Sequence, residues 1–126
     1  MMHIKEIEKV SLLEPFDRYK YFLKKVADSE LLYILEKDSS YAVSSLDNNY
    51  LFPIWSAKEF AELCKINGWE DFSISEITLE DFENEIIDVI SNKNYLINVF
   101  PVLEKTGYVV SLDEFARDLS DELKNY

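Results

Sequence analysis

The chain has 126 residues, 48% of them hydrophobic, and a net charge of −12. That is one domain's length with ample material for a core, while the charge repels phosphate backbones and anionic headgroups, arguing against nucleic-acid and membrane binding and for cationic partners. The lone Cys64 excludes an internal disulfide, and two Gly with three Pro leave little from which to build disordered tracts or glycine-rich loops.

Residues 1–14 read as a segment prone to fray. The first long helix is expected over residues 15–28, where Phe16, Tyr19, Leu23 and Val26 fall on one stripe with Phe22 beside it. Pro15 suits its first turn. Strand formers fill residues 31–36 and the turn cluster Lys37-Asp38-Ser39-Ser40 follows. A second strand is expected from Tyr41 to Leu46, where large apolar and small polar residues alternate. After Asp47-Asn48-Asn49, a third runs from Tyr50 to Trp55; Pro53 inside it implies an edge or an irregularity. Short loops make these three an antiparallel meander.

A helix from Lys58 to about Asn67 should bury Phe60, Leu63 and Cys64, with Gly68 as its left-handed cap and Trp69 folding back. Residues 72–77 form a short strand or an extended connection. The next helix, from Leu79 to about Ser91, buries Leu79, Phe82, Ile86, Val89 and Ile90. Its other face carries Glu80, Asp81, Glu83, Glu85 and Asp88. The apolar run from Tyr95 to Phe100 reads as an interior strand buried on both faces. Tyr108 to Val110 is a last strand, and a final helix from Leu112 to about Leu123 buries Leu112, Phe115, Ala116, Leu119 and Leu123. The expected fold is one α+β domain over residues 1–126, a largely antiparallel sheet of about five strands flanked by four helices.

One local pattern recurs: a hydroxyl residue, two spacers, an acid and Phe, at Ser56–Phe60, Thr78–Phe82 and Ser111–Phe115. The hydroxyl accepts from an N–H of the first helical turn and the acid suits the positive helix end, so each marks a helix start.

Chemistry-bearing motifs are sparse. His3 is the only histidine and lies in the terminal segment, which removes histidine bases, histidine metal sites and Ser-His-Asp or Cys-His arrangements. Cys64 falls on the apolar side of a helix, as a packed thiol does. No phosphate-cradling loop or dinucleotide fingerprint occurs, and Asp47-Asn48-Asn49 lacks the Gly and distal Glu of a calcium loop. Trp55 and Trp69 follow or end apolar elements and read as core anchors; together with Tyr41 they are also the candidates for an aromatic-lined pocket. No catalytic residue, cofactor or metal ligand is expected, and the chain reads as a non-enzyme.

The charge is uneven. Residues 1–28 carry six bases and five acids, the remainder seven bases and twenty acids. Between Lys65 and Lys93 there is no base but eight acids. An acidic helix face is ordinarily a solvated surface; the missing compensation makes the one from Glu80 to Asp88 a candidate protein-binding face. The N-terminus bears acids where a signal peptide needs an apolar run, and no apolar run could cross a bilayer, so a cytoplasmic protein is expected.

Several stretches carry a resemblance: Arg18 through Glu30, Leu51-Phe52-Pro53-Ile54-Trp55 leading into Glu59–Cys64 with Trp69 beyond, and Asn98-Val99-Phe100-Pro101 before Gly107–Ser111. In order and spacing they resemble a family of small bacterial proteins, domain of unknown function 2750, over about residues 15 to 120. The resemblance implies a bacterial, single-domain, cytoplasmic protein and brings no catalytic residue with it. Three functions follow from the residues. The first is an acidic, immunity-like binding protein that sequesters a cationic protein; the second is a small-molecule or regulatory domain using the aromatic pocket; the third is an enzyme that works with carboxylates alone.

Overall fold

A computed structural model describes residues 2–126. The elements in chain order are α1 (Ile4–Ser11), α2 (Pro15–Ser29), β1 (Leu31–Lys37), β2 (Ser40–Tyr41), β3 (Ser44–Leu46), β4 (Asn49–Ile54), α3 (Lys58–Leu63) and β5 (Ser73–Thr78). A helix in three parts follows: α4 (Leu79–Asp81), a π-helical segment (Phe82–Ile86) and α5 (Ile87–Asn92). The chain closes with β6 (Leu96–Val99), β7 (Tyr108–Val110) and α6 (Leu112–Leu123).

The strands form two sheets, ordered β2-β1-β5 and β3-β4-β6-β7. Every pairing is antiparallel except β4 with β6. Tyr33 and Trp55 join the sheets through two reciprocal backbone hydrogen bonds of 2.9 and 3.0 Å. The domain is α+β, as the element order implied, with seven strands in two sheets rather than about five in one. Tyr41 to Leu46 is therefore not one strand. Ser40 and Tyr41 turn back on β1, the Ala42 N–H donates to the Leu35 carbonyl, and the chain then leaves to pair Ser44–Leu46 with β4.

Pro53 lies in an interior strand, not at an edge. It is tolerated because β3 ends its pairing at Leu51, so on that side no ladder bond is lost. β6 is interior, between β4 and β7, with Ile97, Asn98 and Val99 all buried. The helices pack their apolar stripes on this frame. From α2 the core takes Tyr19, Phe22, Leu23 and Val26, while Phe16 stays 52% exposed. Residues 4–11 form a helix instead of fraying; the His3 ring Nδ1 accepts from the Lys5 N–H at its start, and Val10 is buried at its end.

The recurring start pattern holds at two of its three sites. Thr78 accepts from the Asp81 N–H and Ser111 from the Glu114 N–H. Ser56 does not cap: α3 starts one residue later, with Ala57 as its boundary, and the Ser56 hydroxyl is buried without a partner. α3 is also short, ending at Leu63, which is exposed along with Ala116 on α6. Gly68 takes its left-handed φ of 108° in the turn after α3, preceded by Asn67 at 53°.

The segment between β6 and β7 is fastened from four directions. The Phe100 carbonyl accepts from Arg18 Nε at 3.1 Å. The Pro101 carbonyl accepts from Trp55 Nε1 at 2.9 Å and from Cys64 Sγ at 3.3 Å. The Gly107 N–H donates to Asn98 Oδ1 at 2.8 Å. A side chain at Gly107 has no room: its Cβ would stand 2.1 Å from the Val99 carbonyl oxygen.

Candidate functional site

The helix that begins at Thr78 and α6 lie side by side over the β6 side of the core. Their facing apolar rows do not close completely. Phe82, Phe115 and Leu119 form the floor of a groove of about 140 Å³, and Leu79, Ile87 and Leu123 form its walls. Phe82 and Phe115 meet edge-on with centroids 5.8 Å apart. Two local features hold the groove open. Ala116 and Ser120, both small and exposed, stand where larger residues would cover it. The π-helical segment adds a residue to one turn, marked by the Ile87 N–H donating to the Phe82 carbonyl. That lets Ile86 and Ile90 enter the core while the neighbouring Ile87 lines the groove.

Glu80, Asp81, Glu83, Glu85 and Asp88 are all exposed, as their positions on the polar side of the helix require. Glu83 lines the groove itself. Among the described residues, the ion pairs run Asp17–Lys20, Glu6–Lys25, Asp71–Lys37, Glu62–Lys65 and Asp121–Lys124, so none of these five acids has a cation within pairing distance. The groove and the acids thus share one face: an apolar slot beside a field of uncompensated negative charge.

The aromatic candidates are not brought together. Trp55 is fully buried and spends its indole N–H on the Pro101 carbonyl, so it lines no pocket. Trp69 is half-buried and packs edge-on against Trp55, with centroids 6.5 Å apart. Tyr41 sits elsewhere, tilted against Phe52 at 5.5 Å. It borders a broad recess of about 560 Å³ with Val43, Ser44, Tyr50, Lys93 and Tyr95. Tyr50 is 61% exposed, so the recess is a shallow surface and not a cleft that would enclose a small molecule. Sequence reading missed Tyr50, Tyr95 and Lys93 here because they reach Tyr41 only through the β3–β4 and β4–β6 pairings.

Groups able to do chemistry are withheld from it. Burial pushes the Cys64 thiol above its ordinary pKa, and its S–H is engaged by the Pro101 carbonyl. Tyr19 and Tyr21 are raised by burial and by donating to Asp118 and Glu6. Among the described residues no three His, Cys, Asp or Glu side chains converge as a metal site would, and no helix is long and apolar enough to cross a membrane.

Fold and surface define a small α+β domain whose most developed external feature is an acidic, grooved pair of helices. A family model described as protein of unknown function, DUF2750, matches residues 19–119, and the chain belongs to that family. The match spans the stretches that carried the resemblance, from α2 through Leu119 of α6. No curated protein matches the chain.

Proposed function

We propose that this protein is a non-enzymatic binding module that sequesters a cationic protein through the groove between the residue 79–92 helix and α6. The observation that carries this reading is the coincidence of an open apolar slot with unpaired carboxylates on one face. The slot's size suits one or two bulky apolar side chains, and the acids suit lysines and arginines around them, the pattern of a basic amphipathic helix. Long-range attraction speeds the encounter, and burial of the apolar anchor slows release. An immunity-type inhibitor of a nuclease would use such a face, since a nuclease's substrate surface is basic; a cytoplasmic location accords with that role.

The test uses two designed helical peptides of equal positive charge, one amphipathic with a leucine face and one with its leucines dispersed. The parent protein should bind the amphipathic peptide preferentially. Two variants separate the contributions. Replacing Glu80, Glu83 and Glu85 by Gln and Asp81 and Asp88 by Asn should slow association at low salt, with the difference fading as salt rises. Ala116→Trp, at an exposed position, should fill the slot and raise the dissociation rate about tenfold or more. Equal binding of both peptides, or of parent and both variants, would remove this face from the functional surface.

A further inference from the structure

Arg18 falls on the apolar stripe of α2, three residues after Pro15 and four before Phe22. It is only 4% exposed. A buried guanidinium ordinarily has a carboxylate beside it, because an uncompensated charge in the interior costs several kcal/mol. Here the partners are neutral. Nε donates to the Phe100 carbonyl and Nη1 to the Leu13 carbonyl. Among the described residues no carboxylate lies within ion-pair distance of it. The two carbonyls fix the guanidinium plane and leave Nη2 without a protein acceptor.

Arg18 borders a cavity of about 310 Å³ together with Ser11, Glu14, Pro15, Lys105 and Thr106. That is far more than the ~10–15 Å³ one water needs. Two further features of its wall are unfinished. The Ser11 hydroxyl is buried with no hydrogen-bond partner. α2 also begins there without a side-chain cap: Glu14 makes no capping bond, Pro15 has no N–H, and the first helical bond is made by Arg18. The N–H groups of the first turn therefore remain open at the positive end of a 15-residue helix. Lys105 is positioned by a tight turn in which it and Val102 exchange backbone hydrogen bonds of 2.9 and 3.1 Å.

We propose that this cavity binds a small tetrahedral oxyanion, a phosphate or the phosphate group of a small monoester. The guanidinium supplies a fixed planar donor, the Ser11 hydroxyl and the α2 N-terminus supply neutral donors, and Lys105 supplies a second charge at the mouth. These donors approach from two helices and a hairpin rather than in one plane, which suits a tetrahedral anion better than a planar carboxylate. Glu14 is the opposing group; its charge faces Arg18 and weakens the site for any anion. The site is independent of the acidic groove and selects for the opposite charge.

The experiment titrates the full chain with inorganic phosphate, glycerol 3-phosphate, acetate and chloride at constant ionic strength. It follows thermal stability and the NMR signals of Ser11, Lys105, Thr106 and the Arg18 guanidinium. Phosphate or its monoester should bind saturably, shift those signals and raise the melting temperature, while acetate and chloride should not. Tighter binding of the monoester assigns the site to a phosphorylated small molecule; tighter binding of phosphate assigns it to the free ion. Lys105→Ala and Ser11→Leu should each weaken binding about fivefold to tenfold, and Glu14→Gln should strengthen it. These three positions spare the Arg18 bonds on which folding depends. No saturable binding of either phosphate, or binding unaltered by all three substitutions, would overturn the assignment.

Discussion

The acidic helical pair and the β6–β7 segment differ in how they are built. The first comes from contiguous sequence. Residues 79–92 alternate core and acid within one helix, and α6 repeats the pattern with the same cap chemistry. Its acids are solvated and carry no structural bond, so the face is free to serve a partner. The second is assembled from all over the chain: Arg18, Trp55, Cys64, Asn98 and Gly107 converge on residues 98–107. There every polar group holds something. A region whose side chains are unused by the fold has been left to something other than folding; a region whose side chains are all engaged will show its importance as stability.

The largest expected effect belongs to the second region. Gly107→Ala forces a backbone shift in the Val99–Phe100 turn and should cost about 3 kcal/mol or more by denaturant unfolding, the upper range for overpacking. A loss within about 0.5 kcal/mol, the ordinary surface range, would show the segment to be slack and would erase the contrast.

The caps give a middle-sized test with an internal control. Thr78→Ala and Ser111→Ala each remove an observed cap bond and should cost about 1 kcal/mol. Ser56→Ala should be neutral or stabilising, because it deletes a buried hydroxyl that has no partner. Equal losses at all three would mean that Ser56 caps α3 after all.

The smallest effect concerns Glu6, which accepts from the Tyr21 hydroxyl at 2.6 Å. That bond, aided by nearby Lys25, holds its carboxyl below the ordinary value. A lowered folded pKa contributes stability that is present above the unfolded carboxylate range and is lost as pH falls through the folded value. Because Glu6 is partly exposed the contribution is modest. Tyr21→Phe should flatten the acid limb of the stability profile and leave the neutral region nearly unchanged. An unaltered acid limb would show that the α1–α2 contact through Tyr21 does not depend on ionisation.

What the sequence determined by itself is what depends on near neighbours. Helical stripes at α2, residues 79–92 and α6 were legible because side chains three and four apart share a face. The Thr78 and Ser111 caps were legible because the bond closes within three residues. The interior position of β6 followed from its unbroken apolar run, and the acidic character of residues 80–88 from a local absence of bases. The tertiary structure alone decided which strands pair. Tyr41–Leu46 divides between two sheets and β4 accepts Pro53 because partners far along the chain set the ladder, and no local pattern encodes them. It also decided that Trp55 is a buried fastener and not a pocket wall. Ser56 misled because the rest of α3 fixes where the helix axis can start. The groove appears only when two helices leave Ala116 and Ser120 facing Phe82. The cavity at Arg18 appears only when α1, α2 and the β6–β7 hairpin meet, and its one advance sign was a cation on an apolar stripe. Periodicity reports which face a residue occupies; what that face meets is set by packing between segments distant in sequence.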